Sequence, residues 1–235
     1  MSSEFAYVSF VNNNTNYIEL MKTTIASVLK FSKFKFIIYC VDIPYKAFED
    51  NERIEIRNIN VKLNNIYYYK PYVILDAIQK GLKEGYYIES DDILTPFADD
   101  ILNKYIKDIN NIPLSPIHPD DVEIPLTDMI ICNIKEKTQH YIHGHVLFNE
   151  TCEQFVIEWL DNCMKYNSYK NADETVLNLM YWKYKCKNHF LPIIDPWYEN
   201  FYFEYIDKSS VCTYHGCKDP DIQRRLLHDL INKYK

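Results

Sequence analysis

The stretch from Gly85 to Leu94 reads Gly-Tyr-Tyr-Ile-Glu-Ser-Asp-Asp-Ile-Leu. Its aromatic and aliphatic residues run directly into three carboxylates, which indicates a buried strand that ends where charge begins. Glu89 and Asp91 are two positions apart, so in an extended chain their side chains point the same way. Two neighbouring carboxylates repel each other unless a cation lies between them. Because ligands of open α/β sheets collect at the carboxyl ends of strands, this pair suggests a divalent metal beside a phosphorylated ligand. The alternative is a solvated acidic loop after an edge strand.

The composition is that of an ordinary globular protein. The chain has 235 residues, of which 47% are hydrophobic and 25% charged, with no linker, repeat or low-complexity block, so we predict one domain over residues 1–235. It has 4 glycines and no glycine-rich phosphate loop, so a phosphate ligand would need a metal or basic side chains. The net charge of −7 argues against nucleic acid as a partner.

The same sequence bears on the cellular setting. No apolar run approaches the roughly 20 residues that span a bilayer, and the opening Met-Ser-Ser-Glu does not have the features of a signal peptide. The 7 cysteines are odd in number and scattered, which favours a reducing compartment. We therefore expect a cytoplasmic protein without a transmembrane segment. The sequence does not indicate an oligomeric state.

Strand and helix patterns alternate over the first hundred residues. Apolar runs predict strands at 6–11, 34–41, 53–57 and around 86, and helical spacing predicts helices at 17–30 and 70–82. The resulting order, β-α-β-β-α-β, predicts a mostly parallel, Rossmann-like sheet covered by helices.

The second half is more mixed. We predict helices at 98–109, 151–165, 173–185 and 220–234, and strands at 112–117, 129–134, 146–149, 190–194 and 211–214. Thr151 is predicted as the cap of its helix, with Gln154 in the capping-box position.

Six motifs follow one another in a recognisable order. They are Val8–Asn14 with Ser27-Val28-Leu29, Lys70 before Tyr87–Asp91, Pro96–Ile101, Gly144–Asn149 with Trp159-Leu160, Asp173–Asn178, and Tyr214–Pro220. In this order they resemble family 8 of the GT-A glycosyltransferases, which contains the glycogenin-like and galactosyl-transferring enzymes. The chain departs from the family pattern at four points. Glu89 replaces the first aspartate of D-x-D, Ile142 and His143 replace an asparagine and a serine, and Glu174 replaces a glutamine. The last motif is shorter and has no tryptophan.

The resemblance implies an α/β protein of the GT-A fold, with a mostly parallel central sheet flanked by helices and a smaller mixed C-terminal part. It implies that residues 1–110 bind a nucleotide sugar and that residues 111–235 face the acceptor. The implied reaction transfers a hexose from a nucleotide sugar, with a UDP-sugar favoured. The acceptor is open among a glycan, a protein and a lipid headgroup.

The resemblance also implies a metal site made of two acids and a late histidine. Carried over residue by residue, these are Glu89, Asp91 and His215, with Asp92 a weaker candidate. Carboxylates suit Mn²⁺ and Mg²⁺, and one imidazole favours Mn²⁺. Such an ion would neutralise the diphosphate leaving group.

Further donor contacts are implied around the metal. Lys70 and Lys218 would pair with the diphosphate or the sugar, although a lysine at a helix start or on the surface has the same sequence appearance. The other implied nucleotide-sugar contacts are Tyr7, Val8, Asn13, Ser90, Gly144 and His145. Tyr7 is equally compatible with a place in the core.

Asp173 and Glu174 are the implied catalytic acids. They open a predicted helix, where carboxylates also stabilise the helix dipole. The resemblance assigns acceptor binding to Asp173 and places Glu174 near the anomeric carbon. With retention, Glu174 would be a nucleophile or would stabilise a cationic sugar. With inversion, one of the pair would be the base. We expect retention.

Two other functions are compatible with the sequence. The departures from the family pattern allow a degenerate transferase that binds a nucleotide or glycan without turnover. The pair His143 and His145 would face one side of a strand, as metal ligands often do, which allows a metal hydrolase.

Overall fold

The computed structural model describes residues 5–43, 46–118, 121–165, 172–193, 203–212 and 218–234. Its centre is a five-stranded sheet in the order β3-β2-β1-β4-β6. The strands are β1 (Phe5–Asn12), β2 (Lys35–Val41), β3 (Ile54–Ile59), β4 (Glu84–Tyr87), β5 (Ile93–Leu94), β6 (Val146–Asn149) and β7 (Val211–Cys212). The helices are α1 (Thr15–Phe31), α2 (Tyr69–Gln79), α3 (Ala98–Tyr105), α4 (Leu126–Ile131), α5 (Glu153–Lys165), α6 (Ala172–Lys183) and α7 (Pro220–Lys233).

The first half has the predicted β-α-β-β-α-β order. Strands β3, β2, β1 and β4 are mutually parallel, and β6 joins β4 as an antiparallel edge. The predicted mostly parallel, helix-flanked sheet is therefore confirmed. Since β2 and β3 extend to one side of β1 and β4 lies on the other, the strand order reverses between β1 and β4.

Helix α1 holds the chain that follows β4. It begins at the Asn14 cap, whose side chain accepts a hydrogen bond from the Asn16 amide at 2.9 Å. In its middle, the Ser27 hydroxyl accepts from the Leu94 amide at 2.9 Å. This buried contact from Ser27 attaches the segment after β4 to a long helix that is capped at its start.

A smaller second core lies beside the main one. Strands β5 and β7 pair antiparallel, and α7 covers them with Leu226, Leu227 and Leu230. This small sheet with its helix is the predicted smaller mixed C-terminal part.

Three strand predictions in the second half were wrong. Residues 129–134 overlap α4, where backbone hydrogen bonds from Asp128 and Met129 to Pro125 start a helix. The segments 112–117 and 190–193 form only isolated bridges, and position 194 lies outside the described residues. Prolines interrupt both segments, and proline has no amide to donate to a ladder.

The predicted cap of α5 was also wrong. Asn149, not Thr151, caps this region, because its side chain accepts from the Thr151 amide at 3.0 Å. A short 3₁₀ turn at Glu150–Cys152 follows, and α5 begins only at Glu153. The asparagine at the end of a strand thus takes the role expected of the threonine.

Among the described residues, none of the helices combines the length and apolar character needed to cross a bilayer.

Candidate active site

A cavity of about 580 Å³ opens where β1 and β4 end side by side. Val11 and Asn12 line it from β1, and Glu89–Asp92 line it from the turn after β4. This is the point where the strand order reverses, and ligands of open α/β sheets bind in the crevice at such a point. The volume is within the range of pockets that hold small molecules.

The turn after β4, which we call the acidic turn (Glu89–Asp92), presents its acids to this cavity. The Asp92 amide donates to Glu89 O at 3.3 Å, and Asp92 Oδ2 accepts from the Glu89 amide at 2.6 Å. The hydroxyl of Thr24 in α1 lies 2.9 Å from Ser90 O and 2.7 Å from Asp92 O. The turn is therefore held from within and from α1, and Glu89, Ser90 and Asp91 all line the cavity.

Lys70, at the start of α2, lies between the acidic turn and α6. Its Nζ is 2.8 Å from Glu89 Oε1 and 2.7 Å from Asp173 Oδ2, and its side chain is only 6% exposed. Burial lowers the pKa of Lys70, but the carboxylates of Asp173 and Glu89 outweigh burial and raise that pKa above its ordinary value. For Glu89, burial raises the pKa, but the charge and hydrogen bond of Lys70, with smaller contributions from His145 and Tyr87, together outweigh it and leave the pKa lowered. Lys70 thus remains a cation that joins two distant parts of the chain.

Glu174 lies next to Asp173 in the first turn of α6 and lines the same cavity. Burial raises the pKa of Glu174 to about 7, with Lys70 opposing the shift and Asp173 adding to it. Gly144 lies against this group: a Cβ at position 144 would meet Lys70 Nζ and would lie 3.1 Å from Glu174 Oε2. The absence of a side chain at Gly144 makes room for both charged groups.

Lys218, just before α7, brings a second cation to the cavity. It forms an ion pair with Asp91, and its Nζ lies 5.8 Å from the centroid of the Tyr17 ring. Asn16 Nδ2 donates to the Lys218 backbone oxygen at 2.5 Å. Burial raises the pKa of Asp91, and Lys218 opposes that rise. The side chain of Lys218 is 44% exposed, so it reaches both Asp91 and solvent.

Three imidazoles form a stack along the wall of the cavity. The ring centroids of His143 and His145 are 4.6 Å apart with an interplanar angle of 5°, and His118 stacks on His143 at 5.7 Å. Imidazole lone pairs lie in the plane of the ring, so parallel stacked rings do not direct their nitrogens at one ion. His143 and His145 are therefore not arranged as joint ligands of a metal. His145 Nε2 instead contacts Asp92 Oδ2 at 2.7 Å.

The acidic turn has the donor chemistry of a divalent-metal site. Glu89 and Asp91 both line the cavity, and each carboxylate already faces an ammonium group there. Mn²⁺ and Mg²⁺ prefer such hard oxygens. The third predicted ligand, His215, lies outside the described residues. Within the described ranges, no three His, Cys, Asp or Glu side chains converge as a metal site. The acidic turn therefore fits as two oxygen ligands of an ion that takes its remaining ligands elsewhere.

Three of the predicted donor contacts do not line the cavity. Tyr7 and Val8 are completely buried in β1, and the Tyr7 hydroxyl donates to Asp99 Oδ1 at 2.7 Å. Asn13 is exposed in the turn after β1, whereas Asn12, one residue earlier, lines the cavity. β1 ends at Asn12, so Asn13 already belongs to the turn that leads away to α1. The packing therefore supports the alternative that Tyr7 is a core residue.

Sequence reasoning missed several groups that build the site. Asp92, considered only as a substitute ligand, is 1% exposed and bonds back to the acidic turn. Thr24 supports the same turn from α1, and the buried Tyr141 lies close to Glu174 and lowers the pKa of that carboxyl. His118, which also lines the cavity, lies one residue after the segment 112–117 that was predicted to be a strand. The residues that these groups contact are distant in sequence. Only the adjacent pair Asp91-Asp92 offered a sequence signal for the site.

Comparison with known proteins identifies the fold. No protein-family model matches the sequence, and no curated protein matches it significantly. Solved structures match over nearly the whole chain. An active-site mutant of LgtC in which a glutamine is replaced by glutamate is similar with a TM-score of 0.62 and 12% identity, over 97% of this chain and 95% of that one. Galactosyltransferase LgtC, in complex with donor and acceptor sugar analogs, is similar with a TM-score of 0.59 and 11% identity, over the same shares of the two chains.

A third match is the bifunctional glycosyltransferase WbbM in its apo form. It has a TM-score of 0.63 and 14% identity over 99% of this chain, which corresponds to 50% of the WbbM chain. The three matches define the class: this protein has the GT-A fold, and its structural neighbours are glycosyltransferases.

Proposed function

We propose that this protein is a glycosyltransferase that moves a hexose from a nucleotide sugar, specifically a UDP-sugar, to an acceptor hydroxyl. The observation that carries the proposal is the meeting of the acidic turn, Lys70 and the start of α6 in one cavity at the switch point of a GT-A sheet. The neighbours LgtC and WbbM, which share this fold, are glycosyltransferases. In this proposal residues 1–110 hold the donor and residues 111–235 face a glycan, protein or lipid-headgroup acceptor.

Donor binding in this proposal depends on a divalent ion. Glu89 and Asp91, together with His215, would hold Mn²⁺ or Mg²⁺. When bound, the ion acts as a Lewis acid that neutralises charge on the diphosphate leaving group. The support for this role is that these two acids of the acidic turn, two positions apart in sequence, both line the cavity and face cations there.

Two lysines supply fixed positive charge to the departing diphosphate. Lys218 is the better placed, because its side chain is 44% exposed and lies at the cavity wall beside Asp91. Lys70 is held between Glu89 and Asp173, so its ammonium has a defined position. A preorganised cation stabilises charge that develops in the transition state, and it does so without reorganising.

Glu174 is the proposed catalytic carboxylate, and the proposed stereochemistry is retention. In the first step a Glu174 oxygen bonds to the anomeric carbon as the bond from that carbon to the diphosphate oxygen breaks. In the second step the acceptor oxygen displaces Glu174, and the acceptor proton passes to the diphosphate. Asp173 binds the acceptor hydroxyl and keeps Lys70 in place. In the LgtC active-site mutant, glutamate replaces a glutamine. Glu174 is likewise a glutamate where the family pattern has a glutamine.

The decisive experiment measures UDP binding by calorimetry with and without Mn²⁺. We expect Mn²⁺ to tighten UDP binding in the wild type and to have no effect in Asp91→Ala. The control is Asp229→Ala, which removes an acid that is 63% exposed on α7. Equal UDP affinity with and without the ion would overturn the assigned role of the acidic turn.

Turnover separates a transferase from a binding protein. We expect slow hydrolysis of one UDP-sugar in the presence of Mn²⁺, and its loss in Glu174→Ala. A panel of UDP-sugars without any hydrolysis or transfer would favour the non-catalytic alternative. With an acceptor in hand, NMR of the product gives the anomeric configuration, and an inverted product rules out a nucleophilic Glu174.

A further inference from the structure

Asp92 and His145 contact each other in the wall of the cavity, and neither is assigned a contact with the ligand. Both side chains are 1% exposed, and His145 Nε2 lies 2.7 Å from Asp92 Oδ2. Burial of two such polar groups is costly unless each is well satisfied. Their place in the fold therefore calls for a specific structural task.

Sheet pairing explains how these distant residues meet. β6 runs antiparallel to β4, with Val146 opposite Tyr87. His145 precedes this pair on one strand and the acidic turn follows it on the other, so the imidazole lies beside the turn. The stack with His143, at 4.6 Å and 5°, fixes the plane of the ring.

Asp92 passes this restraint to the metal-binding end of the turn. The same oxygen that contacts His145, Asp92 Oδ2, accepts from the Glu89 backbone amide at 2.6 Å. The Glu89 side chain is then held from two sides, by Lys70 at 2.8 Å and by the Tyr87 hydroxyl at 3.0 Å. A change at His145 is thus two hydrogen bonds away from the Glu89 backbone.

We infer that Asp92 and His145 form a positioning pair, in which His145 orients Asp92 and Asp92 fixes the Glu89 backbone so that the acidic turn presents its carboxylates to a divalent ion. This inference rests on the proposed function. In this inference His145 supports the acidic turn through Asp92, whereas the sequence predicted that His145 contacts the nucleotide sugar. Groups that orient metal ligands in this way typically contribute 10–100-fold to metal affinity.

The test compares His145→Ala, His145→Gln and Asp92→Asn with a matched control, Tyr39→Phe. Tyr39 in β2 is 1% exposed and does not line the cavity; its hydroxyl donates to Asp76 Oδ2 at 2.7 Å and accepts from Arg57 at 2.7 Å, so Tyr39→Phe removes partly buried hydrogen bonds elsewhere. We expect His145→Ala to weaken Mn²⁺ binding in the presence of UDP by about tenfold or more. We expect His145→Gln, whose amide retains a donor, to recover part of that loss. UDP affinity without metal should stay within about twofold of the wild type, since both side chains, although part of the cavity wall, are 1% exposed and leave little surface for a nucleotide.

Hydrogen exchange of the segment 84–94 provides a readout that needs no metal. Exchange at the Glu89 amide should be faster in His145→Ala and Asp92→Asn than in the wild type and in Tyr39→Phe. Unchanged exchange and unchanged Mn²⁺ affinity, with a thermal destabilisation like that of Tyr39→Phe, would overturn the inference. A tenfold loss of metal-free UDP affinity in His145→Gln would also overturn it, because His145 would then contact the nucleotide. If Mn²⁺ does not change the UDP affinity of the wild type, the proposed function fails. The hydrogen-exchange data still decide whether Asp92 and His145 hold the acidic turn.

Discussion

The acidic turn and the first turn of α6 each present a glutamate to the same cavity, yet the two glutamates ionise differently. Glu89 contacts Lys70 and the Tyr87 hydroxyl, and although burial raises its pKa, these partners lower it overall. Glu174 is half-buried, and desolvation raises its pKa to about 7 because Lys70, whose Nζ forms ion pairs with Glu89 and Asp173, only partly opposes the rise. The same side chain is thus a fixed anion on one wall and a titrating acid on the other.

The difference between these two walls comes from how one cation is shared. Lys70 forms direct ion pairs with Glu89 and Asp173, so its positive charge is largely balanced by those two carboxylates and stabilises an ionised Glu174 less. In a site of low polarity, a direct ion pair outweighs a charge a few ångströms further away. A permanent anion suits metal binding, and a carboxyl that titrates near neutrality suits chemistry at the sugar.

Replacing the shared cation should have the largest effect. Lys70→Met leaves the 5%-exposed carboxylate of Asp173 and the 36%-exposed carboxylate of Glu89 without their common partner, and because the Asp173 charge is buried we expect a loss of about 3–5 kcal/mol in the free energy of unfolding. Urea denaturation at pH 7 measures this loss. The double variant Lys70→Met with Asp173→Asn should recover part of it, because one uncompensated charge is then removed. An unchanged stability would mean that Lys70 does not hold the two walls together.

The titration of Glu174 should appear in the pH dependence of stability. Its pKa is raised from 4.5 to about 7 in the folded protein, so the native state holds a proton that the unfolded chain has released. Stability therefore falls as pH rises from about 4.5 to about 7, and Glu174→Gln escapes this loss. We expect the variant to gain about 2–3 kcal/mol relative to the wild type between pH 4 and pH 8. Denaturation curves at both pH values measure the difference, and a parallel pH dependence of the two proteins would contradict the assignment.

A methyl group at Gly144 should disturb both walls at once. A Cβ there would meet Lys70 Nζ and would lie 3.1 Å from Glu174 Oε2, so one of these groups must move. We expect Gly144→Ala to cost about 1–3 kcal/mol, measured by thermal or urea unfolding. In a Lys70→Met background the same change should cost less, because the atom that it meets has gone. Equal costs in both backgrounds would show that Lys70 is not the group displaced.

Lys218 should matter least for stability. Its side chain is 44% exposed, and exposed ion pairs contribute little because solvent screens them. We expect Lys218→Met to change the free energy of unfolding by less than about 1 kcal/mol while weakening UDP binding by about tenfold. Calorimetry and unfolding on the same variant test both halves. A large loss of stability, or UDP affinity equal to that of the wild type, would show that Lys218 is a structural residue.

Much of the first half was predictable because its patterns are local. Apolar runs and helical spacing yielded β1, α1, β2, β3, α2 and β4 in order, and the acids of the acidic turn were found from their position after a strand. The second half was predicted less well. The segment 129–134 has strand-forming residues but overlaps a helix, and residues 112–117 are interrupted by Pro113 and Pro116. Strand propensity is expressed only where a partner strand is in register, and one sequence does not report the partner.

The sequence by itself determined the order of strands and helices along the first half of the chain, the acidic turn and the types of charged groups available for chemistry, because periodicity and charge are properties of neighbouring residues. Only the tertiary structure decided that Lys70 bridges Glu89 and Asp173, that Glu174 titrates near pH 7, and that His145 meets Asp92. These properties depend on distances between side chains that are far apart in the chain. They also depend on how much water each group retains, and both are settled only when the elements pack.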